Sequence, residues 1–586
     1  MTFSLKLSRR LVQNLWVFGA AATLAACAGE SLTAPVGSPP SHSVKTIAIN
    51  PSTATVAVNA TVQLSVTLTD SLGGAVTGRQ VAWTSDAEGV ATVSATGVVL
   101  GASVGSATIR IVSEGKSASA VVTVTAASDA GSGSSVHAGY YVSPSGSSGA
   151  DGSAAHPWNL ATAFSGASGR VQPGDTVWLR AGTYRGVFRS SVSGVAGKPV
   201  VFRQYPNERA MLDGRLRLDG PDVVVWGFEI MRSSQTGEEP NLEARGARQK
   251  LINMIIHDSE QQGIRFWDEA VDAEMYGCIV YNNGTHANLD HGTYVHNVSG
   301  TKLIMDNVFF NNLTYGIHVY VSPGEGAQKN VHVIGNVVFN NGTISSTYPA
   351  KGNILIGGEQ PGRGHQAIDN LLYYSGTNGV NMRLGYLASN VDIVATGNTI
   401  WGGATAFMIG NWSSATVKNN TIGGSADIVN LNDTPSGYAW SGNKYYRASS
   451  ASAWRAAAGT ALSLAAWKTA TGLGSTDAVV ATTPTATQVF VRANKYEAGR
   501  ALVVVYNWGH NGSVSADLSG VLRNGQRYEV RNVQDLFGAA VASGTYSGGS
   551  ITLPMTGVNP PARLGRSTPT PPKTGPNFDT FVVIPK

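Results

Sequence analysis

Tyr281-Asn282-Asn283-Gly284-Thr285, Phe310-Asn311-Asn312-Leu313-Thr314 and Phe339-Asn340-Asn341-Gly342-Thr343 are near-copies of one string, recurring every 29 residues. A fixed period of about 20–50 residues marks a solenoid or array, in which each repeat buries its apolar face only against its neighbours. The register continues through Asn307, Asn336, Asn370, Asn398 and Asn420, each just before an apolar pair or triplet, at spacings of 29, 34, 28 and 22. A kept Asn at uneven spacing describes coils of constant core joined by loops of variable length. Parallel strands stack about 4.8 Å apart, so equivalent Asn side chains can hydrogen-bond along the stack. Ile279, Val308, Val337 and Leu371 are then expected to fill the interior.

Composition agrees with an all-β chain. Of 586 residues 70 are Gly, only 13% are charged, and Thr, Ser, Val and Asn are abundant. The length calls for several domains. The net charge is +5 without any Lys/Arg run, so a nucleic-acid partner, which needs a clustered basic patch, is not expected. Cys27 and Cys278 are the only cysteines, which leaves no disulfide framework and no cysteine metal site.

At the N-terminus Lys6, Arg9 and Arg10 precede an apolar stretch from Leu11 to Ala26, closed by Leu24-Ala25-Ala26-Cys27. This resembles the lipobox of bacterial lipoproteins, which implies export and lipidation at Cys27. An ordinary secretory signal is the alternative. The expected location is the bacterial cell envelope, lipid-anchored at the outer membrane or cell surface, or else secreted.

The expected organisation is a signal segment (1–27), a linker (28–43), a β-sandwich (44–126), a Gly/Ser linker (127–138), the solenoid with its N-terminal cap (139–480), and a C-terminal β-sandwich (485–586). Alternating runs such as Val62-Gln63-Leu64-Ser65-Val66 and Ile109-Arg110-Ile111 carry the first sandwich, with Trp83 as a core residue. The segment around Val81–Ile109 resembles bacterial Ig-like domains of group 2. Residues Tyr140–Gly186, with Pro173-Gly174-Asp175-Thr176-Val177, are similar to the cap of right-handed parallel β-helix proteins of the pectin-lyase-like class. That resemblance implies a plugging helix near Asn159–Ala167 and a carbohydrate-active β-helix. Asp151 and Asp175 are read as turn residues.

Outward positions on successive coils can be compared because direction alternates along a strand. With Ile264, Val295, Ile317, Ile354 and Met382 inward, Arg265, Tyr294 and His318 form one outer column. Trp267, His296, Tyr320 and Arg383 are read as a second column. Such a face suits sugars, through aromatic stacking and Arg–carboxylate pairing. In Asp290-His291-Gly292-Thr293-Tyr294, Asp290 can orient His291 and Tyr294 supplies a phenol. Proton abstraction next to a uronate carboxylate needs a base, an acid and a neutralising cation. His291 or Tyr294 as base, Tyr294 as acid and Arg265 as neutraliser meet that list, with His318 alongside. His257, His332 and His365 are read as structural.

The first function expected is therefore a polysaccharide lyase acting by β-elimination on an acidic polysaccharide. Two alternatives stay open. One is a glycoside hydrolase using carboxylates among Asp268, Asp290 and Glu359. The other is a non-catalytic surface carbohydrate-binding or adhesion protein. Glu359 is also placed among the substrate-binding residues. No cofactor is required by any motif, although Asp268, Glu269 and Asp290 could supply oxygen ligands to Ca2+. The expected partners are a polysaccharide and, through the lipid anchor, a membrane, and the chain is expected to be a monomer.

Overall fold

The structure is a computed structural model. It describes residues 43–586 except 58–60, 72, 77–78, 95, 104, 126–136, 235–238, 287–288, 345–350, 449, 458 and 565–568. Cys27 and the apolar stretch before it lie outside the described residues. The chain divides into two compact units at Asp129/Ala130.

The first unit is a small β-sandwich. Lys116–Thr125 lies between Thr53–Ala57, in parallel, and Gly105–Ser113, antiparallel, with Ala82–Ser85 at the edge. Val98–Gly101 pairs with Thr61–Gln63 and Ala91–Val93. Ile109, Ile111, Val122 and Val124 fill the core, and Trp83 packs against it while only partly buried.

The second unit contains a right-handed parallel β-helix. One outer wall is a 12-stranded parallel sheet running from Tyr140–Val142 to Tyr438–Ser441, and the other walls form a 21-stranded sheet from Gly182–Ser190 to Ala478–Val480. A short helix, Leu160–Phe164, closes the first coil. Asn159 caps it by accepting the Thr162 N–H at 2.9 Å, and Leu160, Ala163 and Phe164 are buried. Asp151 and Asp175 accept the backbone N–H of Ser153 and Gln172, as turn residues do.

Two Asn ladders run inside the stack. Asn307, Asn336, Asn370, Asn398, Asn420 and Asn443 are linked side chain to side chain, and the row ends on Asp477. A second ladder joins Asn283, Asn312, Asn341, Asn353 and Asn381. The Asn-Asn pairs of the repeat thus divide their work. Asn282, Asn311 and Asn340 take left-handed backbone with φ of 55°, 52° and 51°, which Asn tolerates better than most residues, and the following Asn joins the ladder.

The apolar triplets divide differently from the sequence expectation. Val280, Phe309, Val338 and Leu372 point into the coil interior. Ile279, Val308, Val337 and Leu371 face outward, with Tyr281, Phe310, Phe339 and Tyr373. These rings stack along the helix, Tyr281 on Phe310 at 4.8 Å and Phe310 on Phe339 at 5.0 Å between centroids. Both faces are apolar because the C-terminal sandwich covers the outer one. Its five-stranded sheet, in the order Gln488–Ala493, Ala501–Tyr506, Phe578–Pro585, Arg527–Asn532, Ala542–Thr545, lays Leu502, Val504, Tyr506, Phe578 and Val582 on the aromatic row. Val503, Val505, Phe581 and Val583 alternate into the sandwich's own core. At about 25 cal/mol per Å² of apolar area removed from water, this contact is a substantial stabilising term.

Candidate functional site

A cavity of about 690 Å³ opens on the outer face of the coils, bordered by Arg265, Tyr294, His318, Lys351 and Arg383. Its floor is one outward column of strands in exact parallel register: Arg265 beside Tyr294, Tyr294 beside His318, His318 beside Leu355, Leu355 beside Arg383. The inward neighbours, Ile264, Phe266, Val295, Ile317, Val319, Ile354, Ile356, Met382 and Leu384, are buried in the core and fix those directions. Arg383 therefore belongs to the first column rather than to that of Trp267, His296 and Tyr320. Its strand neighbour Met382 pairs with the inward Ile354, which leaves Arg383 level with Leu355.

All five residues expected to do chemistry line this cavity. The His291 and His318 rings lie 3.9 Å apart, Tyr294 lies 5.7 Å from His318, and Tyr294 lies 6.3 Å from His291. Asp290 does not orient His291 through its carboxylate. That group accepts the backbone N–H of Thr285 and His286 and closes the turn before the strand. The link runs instead through Thr314, whose hydroxyl contacts both the Asp290 carbonyl oxygen and His291 Nδ1. A carbonyl only accepts, so the Thr314 proton goes to Asp290 O and Nδ1 must carry the proton it gives to Thr314. His291 is thus held as the Nδ1–H tautomer, with the Nε2 lone pair left over.

Charge is arranged unevenly here. The Arg265 guanidinium is held by neutral acceptors, donating to Gln262 at 3.1 Å and to Gln261, and its contact with Glu239 is 3.9 Å. Burial makes its charged form costly and lowers its pKa. Burial, then the charge on Arg383, lowers the pKa of Lys351. Burial, then His318 and Lys351, pushes His291 well below the ordinary histidine value, and burial takes His318 to about 3. Burial, then the Glu325 charge, raises the Tyr294 phenol and keeps it protonated. Asp290 is the only carboxylate among the described lining residues, which also include Arg265, Lys351 and Arg383. Burial raises its pKa, against the hydrogen bonds of its turn.

The other expected residues divide. Trp267 and Tyr320 border the cavity, Trp267 tied through Nε1 to Glu243 at 2.6 Å. Tyr320 donates to Glu359, which stands behind it and does not line the cavity. His296 is buried, with Nε2–H on the Glu325 carbonyl at 3.2 Å, and it too lies outside the cavity lining. Asp268 and Glu269 follow the strand Ile264–Phe266, whereas Asp290 precedes the strand Thr293–Val295 beside it, so the proposed calcium ligands sit at opposite strand ends. Glu269 pairs with Arg245 at 2.8 Å. No group of three or more metal-ligating side chains forms among the described residues.

His257 sits between Glu229 and Asp258 and stacks on Tyr281, while His365 Nδ1 accepts the Val331 N–H. Neither lines the cavity. Lys351 was missed by the sequence reading. Its signal was the interval of 34 between Asn336 and Asn370, against 29 before it, which marks an insertion in the coil that carries Lys351.

The chain matches a curated Bacillus subtilis (strain 168) protein described as uncharacterized protein YwoF with 29% identity over 137 residues, 21% of this chain and 29% of that protein. The chain thus spans less than a third of that relative's length. Among solved structures, it is similar to pectate lyase Pel9A at 19% identity, covering 52% of this chain and 73% of that one with a TM-score of 0.37. It is also similar to the GH136 lacto-N-biosidase from Eubacterium ramulus at 13% identity, covering 58% and 68% with a TM-score of 0.41. Residues 43–132 match the family described as bacterial Ig-like domain (group 2), and residues 140–382 match the family described as Pel9A-like, right handed beta helix region.

Proposed function

We propose that the outer-face cavity binds an acidic polysaccharide and cleaves it by β-elimination. The observation that carries this reading is the charge of the cavity: two guanidinium groups, Arg265 and Arg383, and the amine of Lys351 against the single carboxylate of Asp290 among the described lining residues. A uronate chain brings the missing negative charge. A hydrolase working with paired carboxylates needs a second one within about 10 Å of the first, and the lining supplies none.

In this reading Arg265 pairs with the uronate carboxylate and makes the adjacent C5–H more acidic. Lys351, neutral, takes that proton on Nζ. The C4–O bond breaks as the C4=C5 double bond forms, and the Tyr294 hydroxyl gives its proton to the departing oxygen. Lys351 is preferred to His291 as base because a histidine pushed far below its ordinary value is a poor proton acceptor, whereas a lysine starts from a much higher value and gains neutral fraction as its pKa is lowered. His291 serves as a fixed hydrogen-bond acceptor at Nε2. We further propose export with lipidation at Cys27, on the residues before it. Among the described residues no helix is long and apolar enough to cross a membrane. The match to a bacterial Ig-like module supports an extracellular or surface location.

The test of the carboxylate-pairing role is a comparison of an acidic polysaccharide with its methyl ester. Wild-type protein should strongly prefer the free acid, and Arg265→Gln should lose most of that preference. Equal turnover of acid and ester by the wild type would remove Arg265 from its role.

A further inference from the structure

A second hollow, of about 580 Å³, lies where the first coils meet the C-terminal sandwich, away from the column just described. Three rings border it, and each carries a guanidinium on one face. Arg180 lies over Tyr205 at 4.8 Å, Arg209 over Phe537 at 3.6 Å, and Arg203 over Trp226 at 3.8 Å. Two of the three cations have carboxylates: Arg180 meets Glu208 at 2.7 Å, and Arg209 meets Glu229 at 2.7 Å. Arg203 has none. Its side chain makes no ion pair or hydrogen bond among the described residues, and Glu497, whose charge acts on it, is engaged by Asn253 at 2.9 Å and Arg500 at 3.7 Å. The remaining cations of the hollow are matched too, Arg531 and Lys586 by Glu529.

Register holds Arg203 in place. Its neighbours on the adjoining coils are Trp178 and Trp226, so the guanidinium is clasped between two indoles, at 5.7 and 3.8 Å. Burial lowers its pKa against the opposing charge of Glu497, which marks a charge partly stripped of water and only partly offset. A planar donor fork fixed beside aromatic walls suits a carboxylate carried on a sugar ring.

We propose that this hollow is a second, non-catalytic binding site for a carboxylate-bearing saccharide, with Arg203 donating to the carboxylate and Trp226 and Tyr205 bounding the ring. Its role is to hold the polymer at a point on the chain's surface separate from the outer-face cavity. The proposal does not require that cavity to be active.

The experiment is calorimetric titration of the full chain, in a Lys351→Ala background to prevent turnover, with a trigalacturonate, a trimannuronate and neutral cellotriose. We expect two sites for an acidic trimer and one after Arg203→Gln, with at least tenfold weaker binding at the site lost, and no comparable binding of cellotriose. A single acidic site that disappears with Arg203→Gln supports this proposal and counts against the outer-face cavity. An isotherm unchanged by Arg203→Gln, cellotriose bound as tightly as the acids, or no binding of either acid overturns it.

Discussion

Lys351 is the residue on which the proposed chemistry turns, and its environment sets a sign. Its pKa is lowered by burial and by Arg383, so the neutral amine is populated at lower pH than for a free lysine, near 10.4. Turnover should rise with pH and level off below that value, and Lys351→Ala should reduce kcat by about 10²–10⁴-fold. Steady-state rates across pH check both, and an unchanged kcat would remove Lys351 as base. Histidines set a different limit. His365 is buried and neutral, its pKa taken to about 4 by burial. An unfolded histidine titrates near 6.5, so between those values the unfolded chain binds more protons and stability falls as pH drops. His257 works in the other direction: burial pulls its pKa down, but hydrogen bonds to Asp258 and Glu229 raise it on balance, so its contribution is full below about 6.5 and is lost as pH rises through the folded value. Comparing His365→Gln with wild type isolates the first effect, and the variant should show a shallower loss between pH 6.5 and 4; parallel curves would contradict it. At this scale the sequence was readable where a short motif kept groups together, as in Asp290–Tyr294. It was not readable where partners came from another coil, as Thr314 does for His291, because register in space is not spacing along the chain.

The Asn ladder is the element that sets the stack. Asn336 donates to Asn370 and to the carbonyls of Ile304 and Ile334, and accepts from the Asn307 backbone and side chain. Asn336→Ala leaves several of these groups buried without partners, at about 1–3 kcal/mol each. A loss of roughly 3 kcal/mol or more in chemical denaturation is expected, with kcat little changed because the ladder does not reach the cavity; a loss below about 1 kcal/mol would contradict the ladder's role. The ladder was legible because its period survives loop insertions. The inward and outward sides of the apolar triplets were not, since Ile279-Val280-Tyr281 is apolar on both faces and only the covering sandwich decides which face meets which core.

In the whole molecule, the β-helix and C-terminal sandwich share one apolar seam, with Phe578 stacked on Tyr373 at 4.7 Å and Val504 fully buried. Val504→Asp places an unpaired charge in that seam, at a cost of several kcal/mol. It should lower the melting temperature and expose the linker near 480–487 to proteolysis. A variant as stable as wild type would mean that the sandwich contributes nothing to the helix. The three-part all-β architecture could be read from repeat, alternation and linkers. The sandwich's docking could not, because a two-faced apolar strand reads the same way whether its cover is another coil or another domain. The central claim concerns the bond broken at the outer-face cavity. Its most direct test is to incubate wild-type and Lys351→Ala protein with a panel of acidic polysaccharides, following ultraviolet absorbance and new reducing ends together. β-Elimination predicts that absorbance from the C4=C5 bond conjugated to the carboxylate rises in step with reducing ends for wild type and is lost in Lys351→Ala. Reducing ends without absorbance, or binding without any cleavage, would contradict it.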